Sequence, residues 1–483
     1  MSDSAIIAKN TLAIFSGEIV AHALGFFITI ILARYLGDAG FGVYSFAFAF
    51  ASIMIIFSDL GVSTLMVREV SRKPKLLNNY ASNIFLIKFI LTIAIALILF
   101  IIVTQIESLS EVGYAIYWAS FAMLFLEFSF FFRKFLHIKQ IMEYEAIIKI
   151  FEKVITLLFL LLMFYLFKKI TVFVAVVTFF VGYASTFLLS FYYAKVKVNP
   201  SIRMAYVNLD ISKHLLKNSW QFWLTTVFII IYFKVDTLML SFMTSYESVG
   251  WYNAAYKLIE GLNFMPTLFI VAIFPAMSVL YVKNKQYLQT VFEKTIYYLL
   301  LLSIPIGVGV SLLASRFILL FYTSEYGAAI GVLQILIWAE VFVFVNYFMG
   351  FLLNSIDKQG LFTRTIFIGL IINVVLNTVL IPSYGIYGAA FATLATEIIN
   401  FFQLFRYTQN SGYTFNILKT IYKPLLAALV MGIVIYFSLS LHLVLILSLA
   451  ILTYFLVLFL TKSIGKNEFN LFLRAIKKLR QRN

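Results

Sequence analysis

Long apolar runs dominate this sequence and restrict how the chain can fold. A helix needs about 20 apolar residues to cross the hydrocarbon core of a bilayer, and fourteen such runs follow one another. They are predicted near 11–33, 39–66, 83–104, 113–132, 145–167, 171–194, 215–242, 250–281, 295–314, 327–354, 362–382, 386–406, 421–439 and 442–461. Because 63% of residues are hydrophobic and only 12% are charged, we expect an all-α polytopic membrane protein with about fourteen transmembrane helices.

Basic residues indicate how these crossings are oriented. With the N-terminus inside, the inside loops hold 28 of the 37 lysines and arginines and the outside loops hold four. Cytoplasmic loops carry such an excess in membrane proteins. The net charge of +16 therefore belongs to membrane-flanking loops, and nucleic-acid binding is not predicted. We expect a multi-pass protein of the cell membrane with both termini in the cytoplasm.

Several chemistries are disfavoured by composition. The chain contains no cysteine, which excludes disulfides, thiolate metal sites and cysteine nucleophiles. No cofactor and no metal site are predicted. The short N-terminal segment before residue 11 leads into an apolar run without a small-residue cleavage site, so we expect a retained first helix.

An internal repeat follows from shifting the sequence by 208 residues. The shift superimposes identical residues; examples are Asn10 on Asn218, Leu32 on Leu240, Gly42 on Gly250 and Tyr44 on Tyr252. Six crossings separate the copies, so both have the same orientation and should be related by an axis along the membrane normal. Chance similarity between apolar helices is the alternative. The predicted divisions are 1–200 and 201–410 for two six-helix bundles, 411–462 for two further crossings and 463–483 for a cytoplasmic tail.

Two stretches carry a family resemblance. The stretch 33–72, ARYLGDAGFGVYSFAFAFASIMIIFSDLGVSTLMVREVSR, and the stretch 381–398, IPSYGIYGAAFATLATEI, resemble the polysaccharide flippases of the multidrug/oligosaccharidyl-lipid/polysaccharide exporter superfamily. The resemblance implies two six-helix bundles in a V around a central cavity, plus two C-terminal helices. It also implies transport of a polyprenyl-diphosphate-linked oligosaccharide from the cytoplasmic to the outer leaflet. We expect this transport to proceed by alternating access, and coupling to protons or sodium is a hypothesis that rests on Glu340, Glu397 and Glu18.

Other functions remain as alternatives. A cation-coupled drug exporter and a lipid II flippase share the implied architecture. A membrane polysaccharide polymerase or ligase is less favoured, because such enzymes need a sizeable outside loop and none here exceeds about a dozen residues. We therefore expect a transporter and not an enzyme, with lipid-linked oligosaccharide and membrane lipid as its partners. Other polysaccharide assembly proteins are further candidate partners.

Lysines within predicted crossings are candidates for binding a diphosphate, because ionisable groups in the membrane usually face protein or water. Lys149 and Lys153 lie on one face of the fifth crossing, and Lys234 and Lys257 lie in the seventh and eighth. Lysine binds phosphate as a flexible point charge. On the fifth crossing, two lysines and one glutamate leave a surplus of positive charge. Snorkelling of Lys149 to the interface is the structural alternative.

Carboxylates within crossings are candidates for ion coupling or for lining the cavity. Glu18 shares a helix face with His22 and Gly25, and could instead staple helices together. A buried carboxylate without a cation tends to take up a proton, although it can also serve as interhelical glue. Asp59, Glu127 and Arg34 lie nearer helix ends and are interpreted as anchors. The candidate carboxylates are Glu18, Glu152, Asp236, Glu260, Glu340 and Glu397.

The C-terminal tail carries apolar residues at helical spacing, Phe469, Phe472, Ile476 and Leu479, with basic residues between them. This pattern predicts an amphipathic helix lying on the cytoplasmic leaflet.

Overall fold

The computed structural model describes residues 3–463, and every regular element in that range is helical. The α-helices are α1 Asp3–Ile55, α2 Val62–Arg72, α3 Leu77–Gln105, α4 Glu107–Ser110, α5 Gly113–Ile138, α6 Glu143–Phe167, α7 Val172–Lys197, α8 Leu209–Met243, α9 Tyr246–Glu260, α10 Phe264–Lys283, α11 Lys285–Phe321, α12 Ala329–Ser355, α13 Gln359–Asn410, α14 Ile417–Phe437 and α15 Leu443–Leu460. Short 3₁₀ helices lie at Ile56–Ser58, Pro74–Leu76, Met204–Tyr206 and Ser324–Ala328. The predicted amphipathic tail lies outside the described residues from position 464 onward.

Eleven helical segments of the described chain are long and apolar enough to cross a membrane. Two helices are long enough for two crossings each, because 52 residues of helix extend about 78 Å and the hydrocarbon core is about 30 Å thick. These are α1, with 53 residues and a kink at Gly37, and α13, with 52 residues and a kink at Gly385. A further predicted crossing is divided into α9 and α10 by a break at residues 261–263. The all-α polytopic class with about fourteen crossings is confirmed.

The two kinks depend on backbone freedom that only glycine readily has. Gly37 adopts a φ of 70° and Gly385 a φ of 56°, values that a side chain disfavours. Both glycines lie between predicted crossings, at 33–39 and 382–386. The boundaries predicted between these crossings therefore coincide with the two kinks, although helical hydrogen bonding continues on either side of each kink.

The chain divides into two compact units. The first comprises Met1–Gly261, Phe321–Ala329 and Ile366–Ala392, and the second comprises Leu262–Leu320, Ile330–Thr365 and the chain from Thr393 onward. In the first unit α1 packs against α5, α6, α8 and α9, and α5 packs against α7. In the second unit a core of leucine, isoleucine and phenylalanine side chains joins α11, α12, α14 and α15. The predicted divisions near residues 200 and 410 stay predictions.

A close contact between α1 and α9 has the symmetry of the predicted repeat. A Cβ atom added to Gly42 would lie 1.8 Å from the Tyr246 carbonyl oxygen, and one added to Gly250 would lie 2.1 Å from the Asp38 carbonyl oxygen. The 208-residue shift relates Gly42 to Gly250 and Asp38 to Tyr246. A reciprocal contact of this kind is what a two-fold axis produces. We call this pair of approaches the glycine contact.

The segment that joins α7 to α8, residues 198–208, is bound to the start of α3. The Asn83 amide nitrogen donates to the Tyr206 carbonyl oxygen over 3.0 Å. The Asn83 amide oxygen accepts from the Asn208 backbone N–H and from the Ser212 hydroxyl, each over 2.9 Å. We call this arrangement the linker strap. It fixes where α8 begins relative to α3.

Asn83→Ala is expected to lower the free energy of unfolding by about 3 kcal/mol. The side chain is fully buried, and its removal leaves the backbone groups of Tyr206 and Asn208 without their partners. Thermal unfolding of purified protein in detergent measures the effect. Asn218→Ala is the matched control, because Asn218 is exposed and its hydrogen bonds among the described residues stay within α8. Equal melting temperatures for the two variants would contradict a structural role for the strap.

Candidate functional site

The predicted residues of the first and fifth crossings meet in one place. Lys149 on α6 forms an ion pair with Glu18 on α1, and a Cβ atom on Gly25 would lie 3.6 Å from Lys153 Cε. Gly17 allows the two helices to approach closely because it has no side chain; an added Cβ atom would lie 2.6 Å from the Ala146 Cβ. We call this group the α1–α6 cluster; it contains Glu18, His22, Glu145, Lys149, Glu152 and Lys153.

Carboxylates neutralise both lysines of the α1–α6 cluster. Lys149 also lies 3.4 Å from Glu145, whose other contacts are with Arg133 at 2.5 Å and with His137. Lys153 Nζ lies 2.6 Å from Glu152 Oε1. His22 lies 3.6 Å from Glu18, as their shared helix face predicts. The positive surplus that Lys149, Glu152 and Lys153 suggest when considered alone is therefore balanced by Glu18 of α1 and Glu145 of α6. Arg133 of α5 is a further cation that shares Glu145.

A second charged group lies on α8 and α9. Lys257 Nζ donates to Glu260 Oε2 over 2.7 Å, the i, i+3 pairing that the sequence suggested. Lys234 interacts electrostatically with both residues, yet makes no hydrogen bond or ion pair within the described part of the chain. His22 of α1 also acts on Glu260 through its field. We call Lys234, Lys257 and Glu260 the α8–α9 cluster, and its formal charge is +1.

Asp236 belongs to a different, buried network. Its carboxylate accepts from the Tyr252 hydroxyl and from the Asn377 amide nitrogen, each over 2.6 Å. Asn377 also donates to Asn373 over 2.9 Å. The Asn377 amide oxygen is buried and has no hydrogen-bond partner within the described residues. Asp236 and Lys234 thus face different neighbours, as their two-residue spacing predicts.

Sequence reasoning missed the partners of Asp236. Tyr252 was noted only as a repeat position, and Asn373 and Asn377 were not singled out. A usable signal was present, because two asparagines at i, i+4 share one face of an otherwise apolar crossing. Such amides inside a membrane helix need partners from other helices.

Glu340 and Glu397 belong to the second unit, whereas the residues of the two clusters belong to the first. Glu397 Oε2 accepts from the Asn346 amide nitrogen over 2.8 Å, and the same nitrogen lies 3.0 Å from the Glu397 carbonyl oxygen. This bond joins α12 to α13. Glu340 is buried on α12, with 5% of its surface exposed.

A buried ion triad was also missed by the sequence analysis. Lys88 Nζ on α3 lies 2.8 Å from Asp59 and 3.4 Å from Glu127. Asp59 and Glu127 were interpreted as anchors and Lys88 was given no role. A signal existed in the sequence, because all three lie five to seven residues from the cytoplasmic ends of their predicted crossings. They therefore occupy similar depths.

One carboxylate outside the crossings ties three helices together. Glu69 on α2 accepts from the Tyr80 hydroxyl over 2.6 Å and lies 3.4 Å from the His214 ring. Burial raises the pKa of Glu69, but the bonds from Tyr80 and His214 outweigh burial and hold this pKa below its ordinary value. Glu69 is therefore an anion at neutral pH and links α2 to α3 and α8.

Comparison with protein families gives a match over more than half of the chain. A family model described as polysaccharide biosynthesis protein matches residues 7–281. An uncharacterized membrane protein of Methanocaldococcus jannaschii is 21% identical over 399 residues, 78% of each chain. A probable low-salt glycan biosynthesis flippase of Haloferax volcanii is 28% identical over 170 residues, 35% of this chain and 36% of that protein.

Solved structures with a similar fold cover nearly the whole chain. The lipid II flippase MurJ, in an inward closed conformation, aligns with a TM-score of 0.76 at 18% identity, covering 92% of this chain and 97% of that one. An inward-facing multidrug resistance transporter of the MATE family aligns with a TM-score of 0.67 at 15% identity, covering 84% and 98%. At these identities the comparison establishes the fold alone.

Proposed function

We propose that this chain, which belongs to the polysaccharide biosynthesis protein family, is a flippase for lipid-linked oligosaccharides. It moves polyprenyl-diphosphate-linked oligosaccharide units from the cytoplasmic to the outer leaflet of the cell membrane by alternating access. Its N- and C-termini lie in the cytoplasm, as the distribution of basic residues predicts. The resemblance to a glycan biosynthesis flippase of Haloferax volcanii supports this class of cargo.

The α8–α9 cluster is the observation that carries the proposal. A formal charge of +1 inside crossing helices is costly unless an anion balances it. Lys234 is half-buried and lacks a bonded carboxylate in the described chain, so its ammonium is available to a ligand. A diphosphate supplies the anionic oxygens that lysine binds through charge-assisted hydrogen bonds. We therefore assign the diphosphate to Lys234 and Lys257.

The α1–α6 cluster is proposed as an earlier position on the headgroup path. Lys149 and Lys153 are each half-buried and each bonded to a carboxylate. A diphosphate bound there has to compete with Glu18 and Glu152, so binding is weaker than at Lys234. His22 connects the two clusters electrostatically, because it pairs with Glu18 and acts on Glu260.

Ion coupling is proposed at Asp236. Neutral donors, Tyr252 and Asn377, surround its carboxylate, and the Asn377 amide oxygen adds a second buried oxygen ligand. Oxygen groups of this kind bind a proton or a hard cation. The other candidate carboxylates have assigned neighbours: Glu18, Glu152 and Glu260 pair with lysines, and Glu397 bonds to Asn346. Glu340 stays a candidate on burial alone.

Asp236→Asn is expected to remove the stimulation of flipping by an ion gradient and to leave the gradient-free rate unchanged. The substitution keeps the size of the side chain and one acceptor oxygen, and it replaces the other oxygen by an NH₂ donor and removes the charge. Flipping is measured in proteoliposomes with an imposed proton gradient, a sodium gradient or neither. Glu293→Gln on α11 is the control, because Glu293 is exposed. Gradient stimulation that survives in Asp236→Asn would contradict the assignment.

Related functions make different demands on these clusters. A cation-exporting drug transporter needs a negative binding site, whereas the α8–α9 cluster is positive. The substrate of a lipid II flippase also carries a diphosphate, so it differs from the proposed substrate in the attached sugars. The similarity to MurJ concerns the fold. The positive charge of the α8–α9 cluster is what favours a diphosphate lipid over a cationic drug.

Deletion of the gene in its native host tests the function. We expect lipid-linked glycan to accumulate on the cytoplasmic leaflet, protected from glycan-modifying reagents added outside. Complementation with the wild-type gene should restore outer-leaflet glycan. Accumulation on the outer leaflet, or no change in distribution, would contradict the proposal and favour a polymerase, a ligase or a drug exporter.

A further inference from the structure

The Asp59–Lys88–Glu127 triad joins three crossing segments in the first unit. Lys88 is 1% exposed, and its ammonium contacts Asp59 at 2.8 Å and Glu127 at 3.4 Å. Both carboxylate side chains are about one-fifth exposed, with values of 22% and 20%. The triad is separate from the α1–α6 and α8–α9 clusters and contains none of the candidate coupling carboxylates.

The triad contains one more carboxylate than its cation can balance. With all three groups ionised, the formal charge is −1. A net charge buried among crossing helices is expensive, and one bound proton makes the triad neutral. A single ion pair with Lys88 needs only one of the two carboxylates, and Glu127, at 3.4 Å, is the more distant of the two.

Hydrogen bonding distinguishes the two carboxylates. Asp59 accepts from Lys88, from the Ser63 hydroxyl and from the Ser63 backbone N–H. Glu127 has one long contact with Lys88, at 3.4 Å. Donors stabilise the charged form of a carboxylate, so Asp59 is the better anion and Glu127 is the better position for a proton.

Among the described residues, no second cation is in contact with the triad. Lys134, on the same helix as Glu127, acts on it only through its field. On α8, the groups that approach the neighbouring Gly61 are Ser219 and Trp223, which do not ionise near neutral pH. Two hydroxyls beside the triad in sequence, Ser58 Oγ and Thr92 Oγ1, are buried and without hydrogen-bond partners in the described chain.

Asp59 also lies where the second crossing is interrupted. The helix changes to a 3₁₀ turn at Ile56–Ser58, and Leu60 and Gly61 take φ values of 46° and 76°. Discontinuous crossing helices commonly carry ion sites in transporters. The interruption therefore places the aspartate where backbone rearrangement can change its contact with Lys88.

We propose that the Asp59–Lys88–Glu127 triad is a proton-binding site that holds one exchangeable proton on Glu127. Binding converts the Glu127 carboxylate to a carboxylic acid and forms one O–H bond. The proton comes from hydronium in the surrounding water, which loses one O–H bond and becomes a neutral water molecule. The claim concerns the folded protein and does not depend on the proposed flippase activity.

Infrared spectroscopy of the protein in lipid nanodiscs tests this site directly. The wild type should show the carbonyl band of one protonated carboxyl group that is absent from Glu127→Gln. The band should shift in D₂O and disappear at alkaline pH, where Glu127 loses its proton. Asp59→Asn should lack the same band, because Lys88 and Glu127 then form a neutral pair. Lys88→Met should gain a second carboxyl band, because both carboxylates then need protons.

Controls separate proton binding from loss of structure. Glu293→Gln, which removes an exposed carboxylate, should retain the band. Gel filtration and thermal unfolding establish that each variant is folded, and the two isosteric amide variants suffice if Lys88→Met does not fold. The proposal is overturned if wild type and Glu127→Gln have identical carboxyl spectra between about pH 4 and 9. A band that persists in Asp59→Asn would also overturn it.

Discussion

Gly42→Ala is expected to lower the free energy of unfolding by about 3 kcal/mol and to slow flipping by at least about tenfold. The added methyl group would lie 1.8 Å from the Tyr246 carbonyl oxygen. Backbone atoms on both sides form this contact, so no flexible side chain can move aside. Alanine is otherwise the better helix former by about 1 kcal/mol, and steric overlap has to exceed that gain. Thermal unfolding and proteoliposome flipping assays measure the two effects.

The symmetry of the glycine contact supplies an internal check. Gly250→Ala should behave like Gly42→Ala, because its methyl group would lie 2.1 Å from the Asp38 carbonyl oxygen. Gly360→Ala is the matched control, since nothing lies within 4 Å of its added methyl group. It should keep the wild-type melting temperature or raise it slightly. If all three variants were equally stable, close packing of α1 on α9 would not contribute to the fold.

Lys234→Met is expected to weaken substrate binding by about 30-fold, the loss of one charge-assisted hydrogen bond worth about 2 kcal/mol. The ammonium of Lys234 has no bonded carboxylate in the described residues, so its removal leaves no buried anion unpaired. Stability should therefore change little while the apparent affinity falls. The concentration dependence of flipping measures this affinity with polyprenyl-diphosphate oligosaccharide as the substrate.

Other lysine variants should follow a defined order. Lys234→Arg should recover part of the affinity, because the charge is kept but its geometry differs. Lys149→Met should cost stability, because Glu18 and Glu145 lose a partner. Lys195→Met on α7 should have no effect, since Lys195 is exposed. Wild-type affinity in Lys234→Met would remove this lysine from the diphosphate site.

The number of crossings could be predicted from sequence because it depends on local properties. Each run needs only enough apolar residues to span the bilayer, and the glycines at 37 and 385 mark reversals that helical hydrogen bonding nearly conceals. The interruption at residues 261–263 was not predicted, because the run 250–281 is apolar enough overall for one crossing. Gly261, with Glu260 and Asn263 beside it, is the local sequence signal of the break.

The charge balance of the candidate site could not be predicted in the same way. The surplus of positive charge on α6 depends on which helices supply carboxylates, and Glu18, the partner of Lys149, lies 131 residues away in sequence. The surplus of positive charge at Lys234 could not be predicted either. Its nearest carboxylate in sequence is Asp236, and only the structure shows that Asp236 bonds to Tyr252 and Asn377 instead. Residue type identified the candidates, and only the packing of helices determined their partners.

Flipping by purified protein in liposomes tests the central claim most directly. A fluorescent polyprenyl-diphosphate oligosaccharide is incorporated into both leaflets, and a glycan-cleaving enzyme added outside reports the accessible fraction. We predict that the wild type makes inner-leaflet substrate accessible, and that Lys234→Met does so far more slowly at low substrate concentration. Accessibility that stays at the level of protein-free liposomes, with protein shown to be folded, would contradict the assignment as a lipid-linked oligosaccharide flippase.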